Sequence, residues 1–304
     1  MNEIQLIRMI QRGAPRLRPK SLVLGIGDDC AILRPAGSAE DWVVTTDMVV
    51  EDVHFLRGAH PAAAVGHRVL ARGLSDIAAM GAEPRVCFLS LALAPWIDRR
   101  WLNAFFRGFY RLAGQTHTTL AGGDLAHAEK LACDIVVCGS VPRGKALRRD
   151  GARPGDGIYV SGQLGSSALG LRTRRGRAWK CHLSPEPRLE LGRFLRQRLH
   201  ATAAMDLSDG LSLDLHRLAL ASGVAAELEN HPPIYPGAAL EDALHGGEDY
   251  ELLFTLAPGT RPPARHQGIL ITRIGTIRKG KPGLVRLLGR PLRPGGYDHF
   301  RGMC

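Results

Sequence analysis

The sequence predicts an α/β (α+β) protein built in two units. Strand-like runs alternate with stretches of helical periodicity along the chain. At 304 residues it is longer than most single cores support. Gly151, Pro154 and Gly155 then interrupt the alternation near its middle, which places a boundary near residue 150 and two units at 1–148 and 149–304. With 45% apolar residues the chain can bury a sizeable interior.

The N-terminal MNEIQLIRMIQRG is amphipathic and lacks the apolar core of a signal peptide. WVVTTD reads as a strand, and a helix is expected from Pro61 to about Met80, closed by Gly81 and Pro84. VCFLSLALA is a second strand, Asp98 opens a second helix, and DIVVCGSV is a third strand. In the second unit GIYVSG, ELLFTL and ILITRIG read as strands. Helices are expected around Glu186 to His200 and after Asp209, and RPPARHQG (Arg261 to Gly268) reads as a surface loop.

Composition narrows the function. Lys and Arg total 40 against 29 acids, for a net charge of +11. The basic residues are scattered apart from RTRRGR (Arg172 to Arg177) and have no interleaved aromatic platform, so nucleic acid is not an expected partner. No apolar run approaches the roughly 20 residues that cross a bilayer, so no membrane role is expected. The six cysteines form no CxxC pair, which argues against zinc and disulfide frameworks and for a reducing, cytoplasmic setting.

Against this basic background, acids cluster beside glycine and hydroxyl residues in five strings expected to lie in loops: GIGDDC, TTD, GGD, MDLSDG and GGEDYE. Such strings concentrate hard oxygen ligands, the donors that Mg²⁺ prefers and through which phosphate oxygens are held. Each string also has a structural reading. Asp28 and Asp29 suit a turn, Asp47 a strand end, and Asp209 with Gly210 a helix cap. In the expected Pro61–Met80 helix, Asp76 falls within about 20° of Val65 and Val69, so its carboxylate projects from the apolar stripe. That placement requires a partner, either Arg72 one turn earlier or a metal. Asp124 follows two glycines in a strand-poor stretch, where backbone amides can approach an anion while the carboxylate holds a cation. MDLSDG is not an EF-hand, because position twelve would be Arg217. GSVPRGKA (Gly139 to Ala146) has P-loop spacing, but Ala146 replaces the Mg²⁺-binding hydroxyl and too few residues follow for the helix, so a surface turn carrying Lys145 is expected.

Taken together, GIGDDC, TTDMVVEDVHF, LSDIAAMGAEP, GGD, RPGDGIYVSG, MDLSDGL, GGEDYELLFT and GYDHF, spread from about residue 25 to 300, resemble the thiamine-monophosphate kinase family. The resemblance implies the fold of aminoimidazole ribonucleotide synthetase, with an N-terminal domain that contributes strands to the barrel of a homodimer. It implies ATP-dependent phosphorylation of thiamine monophosphate to thiamine diphosphate, assisted by several Mg²⁺ ions. The implied metal ligands are Asp29, Thr45, Thr46, Asp47, Asp76, Asp124, Asp206 and Asp209, with Asp47, Asp124 and Asp206 as catalytic acids. Nucleotide contacts fall on Gly123, Asp124, Arg149 and Ser208, and substrate contacts on His54 and Glu248. The acceptor phosphate is already ionised at neutral pH, so His54 is expected to orient rather than to act as a base. Pro294 stands where the family commonly has an aromatic residue that contacts the substrate, and Leu125 where a Thr commonly follows GGD. The competing readings are another ATP-dependent enzyme of the same fold, such as an aminoimidazole ribonucleotide synthetase, and a basic RNA-associated protein. The segment before GIGDD has no cysteine or glycine-rich loop, which argues against selenophosphate synthesis.

Overall fold

The computed structural model describes residues 3–13 and 19–297. Helix α1 (Glu3–Gly13) is followed by the short strands β1 (Leu22–Leu24) and β2 (Ala31–Leu33) and the long β3 (Glu40–Val50). Side chains along β3 alternate, so that Val43, Thr45 and Val49 turn inward while Thr46 and Met48 are exposed. Then come α2 (Ala62–Ala79), β4 (Glu83–Leu93), α3 (Arg99–Gln115), β5 (Thr119–His127) and β6 (Ala132–Pro142). The strand order is β1-β2-β3-β6-β4-β5, antiparallel except for the β4–β5 pair. Asp98 caps α3 as its sequence position suggests, accepting the Trp101 amide at 2.7 Å.

Helices α2 and α3 cross in close contact. A Cβ at Gly66 would lie 2.1 Å from the Phe105 carbonyl oxygen, and one at Gly108 would lie 1.8 Å from that of Ala63. Only glycine permits this approach of backbones.

The remaining elements are β7 (Gly157–Ser161), α4 (Ser166–Thr173), α5 (Gly176–Leu183), α6 (Leu189–Phe194), β8 (Ala203–Asp206), α7 (Leu211–Ala221), β9 (Ala225–Leu228), α8 (Leu240–His245), β10 (Leu252–Leu256), β11 (Arg265–His266), β12 (Ile269–Arg278), β13 (Val285–Leu287) and β14 (Arg290–Pro291). They form a second sheet of order β14-β13-β9-β12-β7-β10-β8, with β11 added on β12. RPPARHQG is therefore not wholly a loop, since Arg265 and His266 pair with Leu270 and Ile269.

One core lies beneath the first sheet, around Leu70, Phe105 and Ile135, and another beneath the second, around Ile158, Leu215 and Leu253. A third packs Ala78 and Ala79 of α2 against Leu191, Ala204 and Phe254. Helix α2 is thus covered by both sheets' layers, which explains its nearly continuous burial. The candidate site lies along its C-terminal half.

The expectation that the acidic strings lie in loops holds for GIGDDC and GGEDYE and is corrected for the other three. TTD lies inside β3, GGD inside β5, and Asp206 ends β8. Each belongs to a strand because its carboxylate alternates with inward or paired residues on a regular ladder. Asp209 does not cap α7 either. Gly210 occupies the cap, and Asp214 accepts the amides of Asp209 and Gly210 at 3.1 and 3.0 Å. The P-loop spacing closes β6 in a turn at Gly144, with Lys145 exposed and only a 3-10 turn at Arg149–Gly151 following.

Candidate active site

Alternation on β3 sends Thr45 and Asp47 toward α2, while one face of α2 presents Arg68, Arg72 and Asp76 at intervals of four residues. Arg72 forks onto Asp47 with both contacts at 2.8 Å and reaches Glu248 at 3.4 Å. Arg72 is therefore the partner of Asp47 and not of Asp76. Asp76 accepts from Thr45 Oγ1 at 2.5 Å, and Asp206, at the end of β8, accepts from Ser75 Oγ at 2.7 Å.

The oxygens of Asp29, Asp76 and Asp206 come within 4.8 Å of one another. Burial, reinforced by Asp29, pushes Asp206 up to about 7. Burial together with Asp206, Asp29 and Asp47 holds Asp76 well above the usual carboxylate range, and burial with Asp29 raises Asp28 to about 7. Three carboxylates crowded in this way favour retained protons or a bound cation. Arg149 supplies part of the compensation. Its Nε lies 3.2 Å from Asp29 Oδ2, its Nη2 also contacts Asp29, and its amide donates to Asp28 at 3.1 Å. The donor set is all oxygen, which fits Mg²⁺.

Beside this cluster is a cavity of about 350 Å³, a usual size for a small-molecule site. Asp47, His54, Asp76, Asp206, Ser208, Asp209 and Glu248 line it together with Val53, Ser167, Leu171, Tyr250 and Tyr297. His54 Nδ1 accepts the Val50 amide at 3.0 Å, so the neutral ring carries its proton on Nε2. Glu248 and Tyr250 hold left-handed backbones, with φ of 64° and 51°, the kind of local strain that persists where surrounding structure enforces it. Arg68, 1% exposed, contacts Glu248 at 2.5 Å and the His182 carbonyl. Its neighbours keep Glu248 ionised: although burial acts against the charge, Arg68 and Arg72 bring its pKa below the ordinary value.

Other expected residues lie apart. The Thr46 hydroxyl points to the opposite face of the sheet and donates to Asp134 at 2.7 Å. Gly123 and Asp124 lie on the exposed β5, with Asp124 beside a small hollow lined by Met48, Ser90 and Asp134. Pro294 is exposed, while Tyr297 lines the cavity; Asp298 to Phe300 of the GYDHF string lie outside the described residues. A larger hollow of about 610 Å³ at Glu83, Arg85, Glu186 and Arg193 is lined by acids and arginines alike, and the converging carboxylates found among the described residues lie elsewhere, at Asp29, Asp76 and Asp206.

Sequence reasoning missed Arg68, Ser75, Ser167 and Tyr250. A helical wheel carried beyond Asp76 would have found Arg68, because it lies one turn before Arg72 on the same stripe. Ser75 offered no signal, since a buried serine next to an acid has the same pattern as any helix residue.

Residues 27–141 match the family model described as AIR synthase related protein, N-terminal domain. Thiamine-monophosphate kinase of Escherichia coli K12 is 38% identical over 96% of this chain and 97% of its own, and that of Bacillus subtilis is 33% identical over 99% and 100%. Among solved structures, AaThiL complexed with AMPPCP and TMP is 31% identical, with a TM-score of 0.86 over 98% of this chain and 97% of that one. Thiamine-monophosphate kinase from Stenotrophomonas maltophilia is 37% identical, with a TM-score of 0.77 over 95% and 96%. The hydrogenase maturation protein HypE, at 18% identity and a TM-score of 0.66, shares the fold alone.

Proposed function

The chain belongs to the thiamine-monophosphate kinase family, and on that premise we infer that it transfers the γ-phosphoryl group of ATP to thiamine monophosphate, giving ADP and thiamine diphosphate. The observation that carries this reading is the convergence of Asp29, Asp76 and Asp206 at the edge of a cavity that also holds His54 and Glu248. Asp29, Asp47, Asp76, Asp206 and Asp209 are the proposed Mg²⁺ ligands, with Thr45 ordered against Asp76. When bound, Mg²⁺ neutralises phosphate charge and orients the triphosphate.

The protein's own groups supply the rest. Arg149 offers a permanently charged planar donor for nucleotide phosphate, and Ser208 a hydroxyl. His54 Nε2–H orients the substrate rather than removing a proton, because an ionised phosphate is already nucleophilic. Glu248, fixed by Arg68 and Arg72, is the proposed acceptor for the substrate's amino group.

Gly123, Asp124 and Thr46 enter this scheme only if another chain covers the exposed face of β3 and β5. We therefore propose a homodimer. Its support is the exposure of Met48 and Phe88 on that face of a sheet that ends in an edge strand. The N-terminal residues 1–148 then form the ATP, Mg²⁺ and dimer domain, and 149–304 the domain that completes the site. No helix among the described residues is long and apolar enough to cross a membrane, and a cytoplasmic location is proposed with it.

The test is ADP release measured with thiamine monophosphate, thiamine and an aminoimidazole ribonucleotide precursor in parallel. Turnover confined to thiamine monophosphate is expected. Preference for the precursor would transfer the chain to the synthetase reaction.

A further inference from the structure

Outside the acid cluster, His60 and His182 are buried in contact with each other: their Nε2 atoms lie 3.0 Å apart. Trp179 stacks on His182, with ring centroids 5.1 Å apart and planes 12° apart. Burial, with Arg68 nearby, lowers His60 to about 4 and His182 to about 3, so both rings are neutral at physiological pH.

The hydrogen-bond chain fixes both tautomers. The Leu56 amide can only donate, and it donates to His60 Nδ1 at 3.1 Å. His60 therefore carries its proton on Nε2 and donates it to His182 Nε2. His182 in turn is protonated on Nδ1, which lies 2.8 Å from Ser167 Oγ. The serine oxygen accepts there, so its own hydrogen is turned elsewhere. Ser167 lines the cavity, on the wall that α4 forms with Ala168 and Leu171.

Glu248 Oε2 lies 3.8 Å from the same His182 Nδ1. A hydroxyl donor and a carboxylate acceptor therefore flank one atom. An aminopyrimidine presents the complementary pair along one edge: a ring nitrogen that accepts and, on the adjacent carbon, an amino group that donates. A phosphate dianion suits this place poorly, because it would face the Glu248 carboxylate.

We propose that Ser167 is a specificity-determining residue that donates to the pyrimidine nitrogen adjacent to the amino-bearing carbon of thiamine monophosphate, and that His60 and His182 are positioning residues that hold it as a donor. The proposal rests on the kinase reading above and names the part of the substrate that this wall recognises.

The test joins kinetics with imidazole spectroscopy. Ser167→Ala should raise the KM for thiamine monophosphate roughly fivefold to tenfold, the worth of one neutral hydrogen bond, and leave the KM for ATP unchanged. A pyridine analogue of the substrate, with CH in place of that ring nitrogen, should lose a similar factor with the wild-type enzyme and nothing further with Ser167→Ala, because the two changes remove the same contact. Nitrogen-15 NMR should find His60 protonated on Nε2 and His182 on Nδ1. An unchanged KM in Ser167→Ala, additive losses with the analogue, or His182 protonated on Nε2 would each overturn the proposal. Absence of thiamine monophosphate turnover by the wild-type chain would overturn the kinase reading and this proposal together; turnover with a silent Ser167→Ala overturns the proposal alone.

Discussion

At the scale of single residues, the proposed Mg²⁺ site sets a cation in competition with protons. Asp206 rises from an ordinary 3.8 to about 7, so below that pH an arriving cation must displace a proton. The stabilisation conferred by Mg²⁺, read as a melting-temperature shift at fixed metal concentration, should therefore grow as pH rises through about 7 and shrink below it. A shift that is flat from pH 6 to pH 8 would contradict the assignment of Asp206 as a ligand. The same displacement means that the metal-free folded chain binds more protons than the unfolded one, so this group's contribution to stability declines as pH rises from about 4 to about 7. A second pair of residues separates the acidic site from the P-loop spacing. Lys145 is exposed in a turn, so Lys145→Met should change turnover by no more than a few-fold. Arg149→Ala should raise the KM for ATP, since it removes a planar cation placed at Asp28 and Asp29. A dead Lys145→Met enzyme beside an unaffected Arg149→Ala enzyme would move the triphosphate to the Lys145 turn and contradict its placement at the acidic site.

At the scale of elements, α2 carries the architecture, and its crossing with α3 leaves no space for a methyl group. Gly108→Ala should cost roughly 1–3 kcal/mol, visible as a lowered melting temperature, because the backbones must separate. An unchanged melting temperature would mean that the crossing relaxes freely. The segment after β14 carries the departure at Pro294. With Pro294 exposed and Tyr297 in the cavity wall, Tyr297→Ala should weaken thiamine monophosphate binding by roughly 0.5–2 kcal/mol, the worth of an aromatic contact. Pro294→Trp should lower the KM for thiamine monophosphate without altering that for ATP; silence of both variants would remove this segment from the site. The main elements were legible because period-two runs such as WVVTTD and the Pro61 to Met80 stripe were long and bounded by turn residues. β5 was not, because TLAGGDLAH contains two glycines and is exposed along most of its length, and so carries neither strand propensity nor an apolar face. β8 and β9, at four residues each, are too short for a periodic signal. The candidate ligands Asp76 and Asp206 were legible as acids out of place. Their supports are not: helical spacing offers Arg72 as a neighbour of Asp76, whereas the fold pairs it with Asp47 from a strand 25 positions earlier.

At the scale of the whole molecule, two sheets meet across α2, and the cavity draws on both: Asp47 comes from β3 of the first sheet, Asp76 from α2, Asp206 from β8 of the second sheet, and Ser208 and Glu248 from the loops beside it. The proposed site, divided in this way, brings the ATP triphosphate and the acceptor phosphate together by positioning and charge neutralisation, with no covalent intermediate required. Light scattering at micromolar concentration should give the mass of a dimer, and a monomer would contradict the proposed covering of the β3–β5 face. The measurement that tests the account most directly is thiamine diphosphate formation from ATP and thiamine monophosphate, followed as Mg²⁺ is titrated against chelator in the wild-type enzyme and in Asp47→Asn. The account predicts no product in excess chelator, product restored by Mg²⁺, and turnover at least about 10²-fold lower in the variant, the scale of losing a principal charge-stabilising group. Product in excess chelator, or near-normal turnover by Asp47→Asn, would contradict it.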